Sequence, residues 1–380
     1  MKLRRFGTAL VALTLGVSFL SGCGGSSPAS SSKAPIKVGA VFILTGANSG
    51  YGIAQRAGVE LAVADVNKNG GINRAQLEVI LEGSQSNGDQ AIKAVQKMID
   101  KDNVVAIIGP TLSTEMFAAG PVANEAKVPI LGVSNTANGI TDIGTYVFRN
   151  SLPEAGVLPT TVKKAVEKHK LKKVAVTWAA NDDFSKSGYE IFKAELGKNN
   201  VQIVAEASHN TKDTQFDAQV TKLMAAQPDA IVISSLYQEA ALFMVQARKA
   251  GFKGPFIGGN GFNSPALVDV AKDAAEGAIV GSPWASLRDD PKVKKFVTDY
   301  TAKMSGKGPD QFAAQAYDGA MLIAEALKKG GTDRAKVRDA LAGIKGYEGV
   351  TGKFSFDEKR NPAMTPFVLE IKGGKYTELK

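Results

Sequence analysis

The strongest constraint on the fold is an alternation of short β-branched runs with amphipathic stretches along the chain. Residues 36–42 (IKVGAVF) form the first apolar run, and residues 51–67 follow with valines at helical spacing. The glycines at 70 and 71 then favour a helix end. Strands that alternate with helices in this way predict parallel sheets that helices cover on both faces.

The alternation occurs twice. Its first part reaches an extended segment at residues 146–149, and it starts again after Pro153 with a predicted helix at residues 154–168. Further helical stretches and short strands follow Gly281. Because 380 residues are too many for one ordinary core, we predict an α/β protein with two lobes, each a doubly wound parallel sheet.

The N-terminus has the layout of a cleaved secretory signal. A basic patch at residues 2–5 precedes an apolar run at residues 9–20, and small residues lie just before Cys23. The apolar run is too short for a transmembrane helix of ordinary length. We therefore predict a signal peptide at residues 1–22.

The sequence Leu20-Ser21-Gly22-Cys23 resembles the lipobox of bacterial lipoproteins. This resemblance implies lipidation of Cys23, and more than one acyl chain attaches a protein stably to a membrane. Residues 23–35 (CGGSSPASSSKAP) are rich in glycine, serine and proline. We predict that they form a flexible linker between the lipid anchor and the folded part.

Composition excludes several classes of site and partner. Cys23 is the only cysteine, which rules out disulfides and thiolate metal clusters in the mature domain. Segment 1–22 has three basic and no acidic residues, so that its removal lowers the formal net charge from +9 to +6. Because the lysines are rarely interleaved with aromatic residues, we expect solvated surfaces and no nucleic-acid partner.

The motifs of nucleotide-binding and catalytic α/β proteins are missing from the sequence. Residues 46–52 (GANSGYG) follow a strand but depart from G-x-G-x-x-G, and no serine lies in G-x-S-x-G. The two histidines, His169 and His209, lie in a lysine-rich helix end and a polar loop, and we expect both on the surface. We therefore predict no enzymatic activity, no cofactor and no metal site.

A series of short motifs follows one another across the mature chain. They are Ile36-Lys37-Val38-Gly39, Leu44-Thr45-Gly46, Gly70-Gly71-Ile72-Asn73, Ile108-Gly109-Pro110, Val128-Pro129-Ile130-Leu131, Tyr146-Val147-Phe148-Arg149 and Gln315-Ala316-Tyr317-Asp318. In this order they resemble the leucine/isoleucine/valine-binding proteins of ABC importers, the branched-chain amino-acid solute-binding family. The resemblance implies the type I fold of periplasmic binding proteins, with the ligand in a cleft between two lobes that a three-strand hinge joins.

The resemblance also implies where the chain crosses between the lobes: near Asn150, near residues 281–286 and near residues 347–352. The N-terminal lobe would comprise residues 36–150 and 285–348, and the C-terminal lobe residues 151–284 and 349–380. Closure over the ligand would then be a population shift, driven by contacts that form only when both lobes touch the ligand.

Three polar residues are implied as contacts of the ligand's head group. Ser113 follows the third predicted strand at a helix start, where free N–H groups and the helix dipole favour a carboxylate. An alternative role for Ser113 is the N-cap of that helix. Thr136 and Asn138 match the family segment that offers a carbonyl and a hydroxyl to the head group, although the family usually has threonine at the position of Asn138.

Three aromatic residues are implied at the cleft as well. Tyr51 corresponds to an aromatic residue in the first turn of a helix, with a core position as the alternative. Phe184 takes the place of a tyrosine in the second lobe. Tyr237 matches the aromatic residue that faces the ligand from that lobe.

Asn260 departs from the amino-acid-binding relatives, which have an acidic residue at this position to pair with the ligand's ammonium group. A buried cation without a counter-charge is costly, and asparagine carries no charge. Either the ligand has no ammonium group, or another acid supplies the charge. The candidate acids are Asp182, Asp183, Glu239 and Asp318.

We therefore expect an extracytoplasmic solute-binding lipoprotein of an ABC importer, anchored in the cell membrane by its lipid. It would capture an amino acid of the branched-chain or aliphatic type as a monomer and deliver it to the permease. The alternative ligand is a carboxylate or amide without an amino group. An extracellular ligand-sensing module is the alternative function.

Overall fold

Two large β-sheets organise residues 33–379, the part of the chain that the computed structural model describes. The strands of the first sheet are β1 (Lys33–Phe42), β2 (Ala75–Gly83), β3 (Ile107–Ile108), β4 (Ile130–Gly132) and β5 (Val147–Arg149). They pair in the order β2-β1-β3-β4-β5, and every pairing is parallel. The reversal of direction in this order lies between β1 and β3, which is where open parallel sheets bind ligands.

The second sheet has seven strands. They are β6 (Lys173–Ala179), β7 (Gln202–His209), β8 (Ala230–Ser234), β9 (Phe256–Gly258), β10 (Ile279–Ser282), β13 (Phe367–Lys372) and β14 (Lys375–Glu378), and β11 (Tyr347–Gly349) with β12 (Gly352–Phe354) forms a separate hairpin. The order in the large sheet is β14-β13-β10-β9-β8-β6-β7. Strands β6 to β10 are parallel, whereas β13 and β14 are an antiparallel extension.

Helices cover both sheets. Those with the first sheet are α1 (Ser49–Lys68), α2 (Gly88–Asp100), α3 (Ser113–Glu125), α10 (Gln311–Gly330) and α11 (Arg334–Ala342). Those with the second sheet are α4 (Glu154–His169), α5 (Asp183–Lys198), α6 (Asp217–Ala225), α7 (Tyr237–Lys249) and α8 (Pro265–Ala271), while α9 (Pro291–Lys303) packs against α1. Short 3-10 helices occupy Ile140–Ile143, Asn260–Phe262 and Lys272–Ala275. Each sheet with its helices is called a lobe below.

Alternation along β1 explains why the first sheet has helices on both faces. Ala40 and Phe42 pack in the core that α1 and α10 share, whereas Val41 packs in the core of α2 and α3. Successive side chains of a strand point to opposite faces, so that an apolar run without polar interruptions requires cover on both sides. The predicted α/β class with two parallel-sheet lobes is confirmed.

The chain passes between the lobes at three places. It leaves the first lobe after β5 at residues 150–153 and returns to it between β10 and α9 at residues 283–290. The third passage follows Asn361, because Arg360 still donates to the Val147 carbonyl at 3.0 Å and Asn361 still accepts a bond from Arg149 at 2.7 Å. The expectation that this crossing and the lobe boundary lie near residues 347–352 is therefore wrong.

Strand β1 begins at Lys33, inside the predicted linker 23–35. The predicted signal peptide 1–22, the lipidation of Cys23 and most of the linker lie outside the described residues. Within residues 33–379, no helix combines the length and the apolarity that crossing a membrane requires.

Candidate functional site

A cavity of about 290 Å³ lies between the lobes, at the carboxyl ends of their parallel strands. The first lobe contributes Tyr51, Thr111, Leu112, Ser113, Ser134, Thr136 and Phe312. The second lobe contributes Phe184, Leu236, Asn260 and Gly261. The cavity is narrow, so that it suits a molecule of few heavy atoms.

Ser113 lies on the polar wall of the cavity, as predicted. It is the first residue of α3, and Leu112 occupies the N-cap position. The Ser113 hydroxyl oxygen accepts a hydrogen bond from the Ala137 N–H at 3.2 Å, which leaves the hydroxyl hydrogen available for a second partner. N–H groups in the first turn of a helix have no partner inside the helix, so that this wall offers donors to an anionic group.

Thr136 also lines the cavity, and its hydroxyl is buried without a hydrogen-bond partner among the described residues. A buried hydroxyl without a partner is destabilising by about 1–3 kcal/mol, which a ligand atom can offset. Asn138 lies outside the cavity lining and is exposed, and its backbone N–H donates to the Ser187 hydroxyl at 3.0 Å. The structure thus brings Ser113 and Thr136 together and leaves Asn138 at the rim.

The predicted aromatic residues have two different positions. Tyr51 and Phe184 line the cavity, whereas Tyr237 lies beside it with its ring edge on Tyr51 at 4.9 Å between centroids. The Tyr51 hydroxyl donates to the Gly261 carbonyl at 2.6 Å and accepts from the Tyr237 N–H at 2.8 Å. Burial raises the pKa of Tyr51 well above its usual value, so that this hydroxyl stays protonated. Its hydrogen bonds join the lobes.

Asn260 lies in the cavity wall with its amide held by the protein. Its side-chain oxygen accepts from Gln311 at 3.2 Å, and its side-chain nitrogen donates to the Leu152 carbonyl at 3.4 Å. The Asn260 backbone N–H donates to the Glu154 carboxylate at 3.0 Å. Asn260 thus connects the cavity to a carboxylate that lies directly behind it.

The four acids proposed to replace the missing charge all lie outside the cavity lining. Asp182 caps α5 by accepting the Ser185 N–H, Asp183 forms an ion pair with Lys186, and the other two bind N–H groups of the backbone: Glu239 that of Lys212, and Asp318 those of Val350 and Thr351. Because each carboxylate already has protein partners, none of these four acids is available to replace the charge that is missing at Asn260.

Glu154 is the acid that the sequence analysis missed. It is 1% exposed, and one of its carboxylate oxygens has no partner among the described residues. Its backbone N–H donates to the Thr136 carbonyl at 3.0 Å, so that Glu154 contacts two residues of the cavity wall, Thr136 and Asn260. Burial raises the pKa of Glu154 from 4.5 to about 7.

The packing around Glu154 is tight. A Cβ atom on Gly259 would lie 2.4 Å from the carboxylate oxygen that lacks a partner, so that only glycine lets the backbone approach this closely.

The sequence did contain a signal that could have identified Glu154 as a site residue. Glu154 begins a helix directly after the first crossing between the lobes, where a first-turn acid is usually read as a favourable dipole contact.

The sequence analysis also missed six other lining residues: Thr111, Leu112, Ser134, Leu236, Gly261 and Phe312. Hydrogen bonds hold the side chains of the polar ones, Thr111 and Ser134, in place. The Thr111 hydroxyl donates to Gln55 at 2.7 Å, and Gln55 donates to the Ser134 hydroxyl at 2.7 Å. Phe312 packs on Tyr51 with 4.2 Å between ring centroids. Such a preformed wall keeps the cavity's shape without help from a ligand.

His209 corrects the expectation of two surface histidines. It is buried, and its ring nitrogens lie 3.1 Å from the Thr177 hydroxyl and 3.0 Å from the Ser235 hydroxyl. Burial lowers the pKa of His209 to about 4, so that the ring is neutral at physiological pH. The polar sequence around His209 hid the fact that it ends strand β7, whose last side chain points into the core.

Known proteins share this architecture. A leucine-, isoleucine-, valine-, threonine- and alanine-binding protein of Pseudomonas aeruginosa is 29% identical over 327 residues, which cover 85% of this chain and 86% of that protein. Among solved structures, the substrate binding protein LivJ of a branched-chain amino acid transporter from Streptococcus pneumoniae, in complex with isoleucine, is 32% identical with a TM-score of 0.85. The leucine binding protein LivK of Thermotoga maritima is 27% identical with a TM-score of 0.85. Each alignment with these two structures covers 90% of this chain and 97% of the other.

The family resemblance that the sequence motifs indicated is thereby confirmed. The periplasmic binding protein family matches residues 35–375, which include both lobes and all three passages between them. This chain therefore belongs to the periplasmic binding protein family.

Proposed function

We propose that this protein is the solute-binding component of an ABC importer and that its ligand is an amino acid with an aliphatic side chain. The observation that carries the proposal is the Glu154 carboxylate. It is buried against the cavity wall, and one of its oxygens has no partner among residues 33–379. Above about pH 7 this carboxyl group is ionised, and a buried charge calls for a cation such as the ammonium group of an amino acid.

The rest of the cavity suits the other parts of an amino acid. The start of α3, with the Ser113 hydroxyl, faces the site with hydrogen-bond donors that fit a carboxylate. The Thr136 hydroxyl has no partner among residues 33–379 and can bind either the carboxylate or the ammonium group of the ligand. Leu112, Leu236 and the rings of Phe184 and Phe312 supply an apolar surface for a side chain. The names of the leucine-, isoleucine- and valine-binding relatives support this proposal.

We also propose that the mature protein is anchored outside the cytoplasm through acyl chains on Cys23 and meets its permease there as a monomer. The lipobox supports the anchor, and the family supports the transport role. In this proposal the first lobe comprises residues 33–150 and 285–361, and the second residues 151–284 and 362–379. The two lobes close on the ligand by rotation at the three passages.

A matched pair of ligands tests the amino-acid proposal. L-Leucine and 4-methyl-2-oxopentanoate have the same side chain and carboxylate, and only leucine has an ammonium group. Titration calorimetry at about pH 8 should detect leucine binding and little or no binding of the oxo acid. Glu154→Gln should weaken leucine binding about tenfold to hundredfold, the value of a hydrogen bond to a charged group.

Two results would contradict this proposal. Binding of the oxo acid at least as tightly as leucine would show that no counter-charge is used. Undiminished leucine affinity in Glu154→Gln would remove Glu154 from the site. Glu167→Gln is the matched control, because it makes the same substitution at an exposed residue of α4 outside the cavity lining.

The neutral side chain of Asn260 favours a second candidate, a carboxylate ligand without an amino group. With Glu154 protonated, the cavity would hold no negative charge among its wall residues and the carboxylate behind them. Titration calorimetry with leucine and the oxo acid separates the two candidates, since the second function requires the oxo acid to bind and leucine not to bind.

A further inference from the structure

Two helices that meet across the cleft, α1 and α7, begin without a side-chain cap of their own. The N-cap residues are Asn48 for α1 and Leu236 for α7, and neither side chain accepts a bond from its own first turn. Several other helices are capped by their own residues, as α2 is by Asn87 and α5 by Asp182, whereas α4 and α6 also begin without a side-chain cap. The uncapped N–H groups of α1 and α7 therefore need other partners.

Each of these helices caps the other across the cleft. The Tyr237 hydroxyl, from the start of α7, accepts the Gly50 N–H of α1 at 3.2 Å. In return, the Tyr51 hydroxyl accepts the Tyr237 N–H at 2.8 Å, and the Asn48 side chain accepts the Gln238 N–H at 3.1 Å. Residues of one lobe thus supply the helix caps of the other lobe.

Asn48 has an unusual geometry for an N-cap asparagine. Its backbone is left-handed with φ 63°, it is 2% exposed, and its amide nitrogen donates to the Glu239 carboxylate at 3.2 Å. Asn87 shows the ordinary geometry, because it has φ −141° and its side chain accepts the Gln90 N–H of its own helix at 3.0 Å. The Asn48 side chain is turned away from α1 toward the second lobe.

We propose that Asn48 is a positioning residue that exchanges helix caps when the lobes move. With the lobes apart, its side chain caps α1, its own helix. With the lobes together, it binds the first turn of α7 and Glu239. The inference rests on the opening of the two lobes and not on the identity of the ligand.

Because of this cap exchange, the free-energy cost of closing the lobes is small. An asparagine cap is worth about 1 kcal/mol, and the same side chain makes such a contact in either arrangement, so that little is lost when the lobes separate or meet. The added bond to Glu239 and the Tyr51 and Tyr237 hydrogen bonds favour the closed arrangement. The protein without ligand should therefore close spontaneously in a substantial fraction of molecules.

Two substitutions of Asn48 separate the roles of its side chain. Asn48→Gly deletes the side chain and tolerates the left-handed backbone. Because the cap is lost in both arrangements, the ratio of closed to open molecules changes through the bond to Glu239, and its loss should lower this ratio about fivefold. Asn48→Asp keeps the ability to cap α1 but places a second carboxylate against Glu239. At about pH 8 it should lower the ratio about tenfold or more.

Single-molecule energy transfer on the protein without ligand measures this ratio. Cys23 is the only cysteine, so that a Cys23→Ser form with Lys93→Cys in α2 and Lys222→Cys in α6 carries one dye on each lobe. Both lysines are exposed. Asn87→Asp is the matched control, because it changes the same residue type at an N-cap remote from the second lobe, and it should leave the ratio unchanged.

A rescue completes the test. Glu239→Gln in the Asn48→Asp background removes the repulsion and should restore most of the closed population. Equal distance distributions in the parent, Asn48→Gly and Asn48→Asp proteins would overturn the proposal, as would an equal shift in Asn87→Asp. Because no ligand is added, these outcomes are independent of whether leucine binds.

Discussion

Glu154 is an ionisable residue that is almost completely buried, so that its charged form is unfavourable. The pKa of its carboxyl group is raised from 4.5 to about 7 by burial, and one carboxylate oxygen has no partner among the described residues. In the absence of a ligand, ionising this group must destabilise the fold. Its effect on stability therefore depends on pH.

The sign of this effect follows from the raised pKa. Between pH 4.5 and about 7 the folded protein keeps a proton that the unfolded chain releases, so that the contribution of Glu154 to stability is lost as the pH rises through this window. From about pH 5 to about pH 8 the parent protein should lose about 2 to 3 kcal/mol of unfolding free energy that Glu154→Gln does not lose. Urea unfolding of both proteins without ligand measures the difference.

Other buried acids do not obscure this comparison. Burial also raises the pKa values of Glu115 and Asp310 to about 7 and that of Asp318 to about 6, and these groups are present in both proteins. Only the difference between the two pH profiles reports on Glu154. Parallel profiles would mean that Glu154 is solvated or paired in the protein without ligand.

The close crossing of α1 and α10 holds the second segment of the first lobe, residues 285–361, against the first segment. A Cβ atom on Gly58 of α1 would lie 2.2 Å from the Ala313 carbonyl oxygen of α10. This distance is far below van der Waals contact, and the obstacle is backbone that cannot rotate away. Gly58 thus sets the approach of two helices that are distant in sequence.

Gly58→Ala should destabilise the fold by about 1–3 kcal/mol, because the added methyl group overpacks the helix crossing. Gly197→Ala is the control in another helix, α5, since a Cβ atom there would meet no atom within 4 Å. It should stabilise the fold by about 0.5 kcal/mol through the lower entropy of the unfolded chain. Chemical unfolding of both variants checks the opposite signs, and a destabilised Gly197→Ala or an unaffected Gly58→Ala would contradict this account.

Helix positions followed the sequence closely where the apolar spacing was strong. The predicted helices at residues 51–67 and 154–168 correspond to α1 (Ser49–Lys68) and α4 (Glu154–His169). Helix periodicity is a local property of the sequence, so that it can be recognised without knowing which surface the helix packs against. The third passage was misplaced for the opposite reason, since the contacts of Arg360 and Asn361 are with residues more than two hundred positions earlier.

At the scale of the whole molecule, the anchor and the folded part should be separable. The proposed lipid chains on Cys23 are joined to β1, which begins at Lys33, by a short glycine- and serine-rich stretch. Cys23→Ser should move the protein from the membrane fraction to the soluble fraction and leave leucine binding unchanged, because acylation supplies the membrane affinity. Membrane fractionation followed by immunoblotting measures this. A Cys23→Ser protein that stays with the membrane would show that another segment holds it there.

The sequence by itself determined the α/β class, the presence of two lobes, the family and much of the cavity. Tyr51, Ser113, Thr136, Phe184 and Asn260 were predicted at the cleft, and all five line the cavity. They follow the carboxyl ends of parallel strands, which meet at one edge of a sheet whatever the details of packing. A position directly after a strand is readable from the order of residues.

Only the tertiary structure decided how side chains are used between the lobes. It places Glu154 behind Asn260 and assigns the Tyr237 hydroxyl to the start of α1, while Asn138 lies at the rim. It also buries His209, which lies in a polar stretch of sequence. These facts depend on hydrogen-bond partners and burial that arise when distant segments pack together, and free energies of this kind have no local signature in the chain.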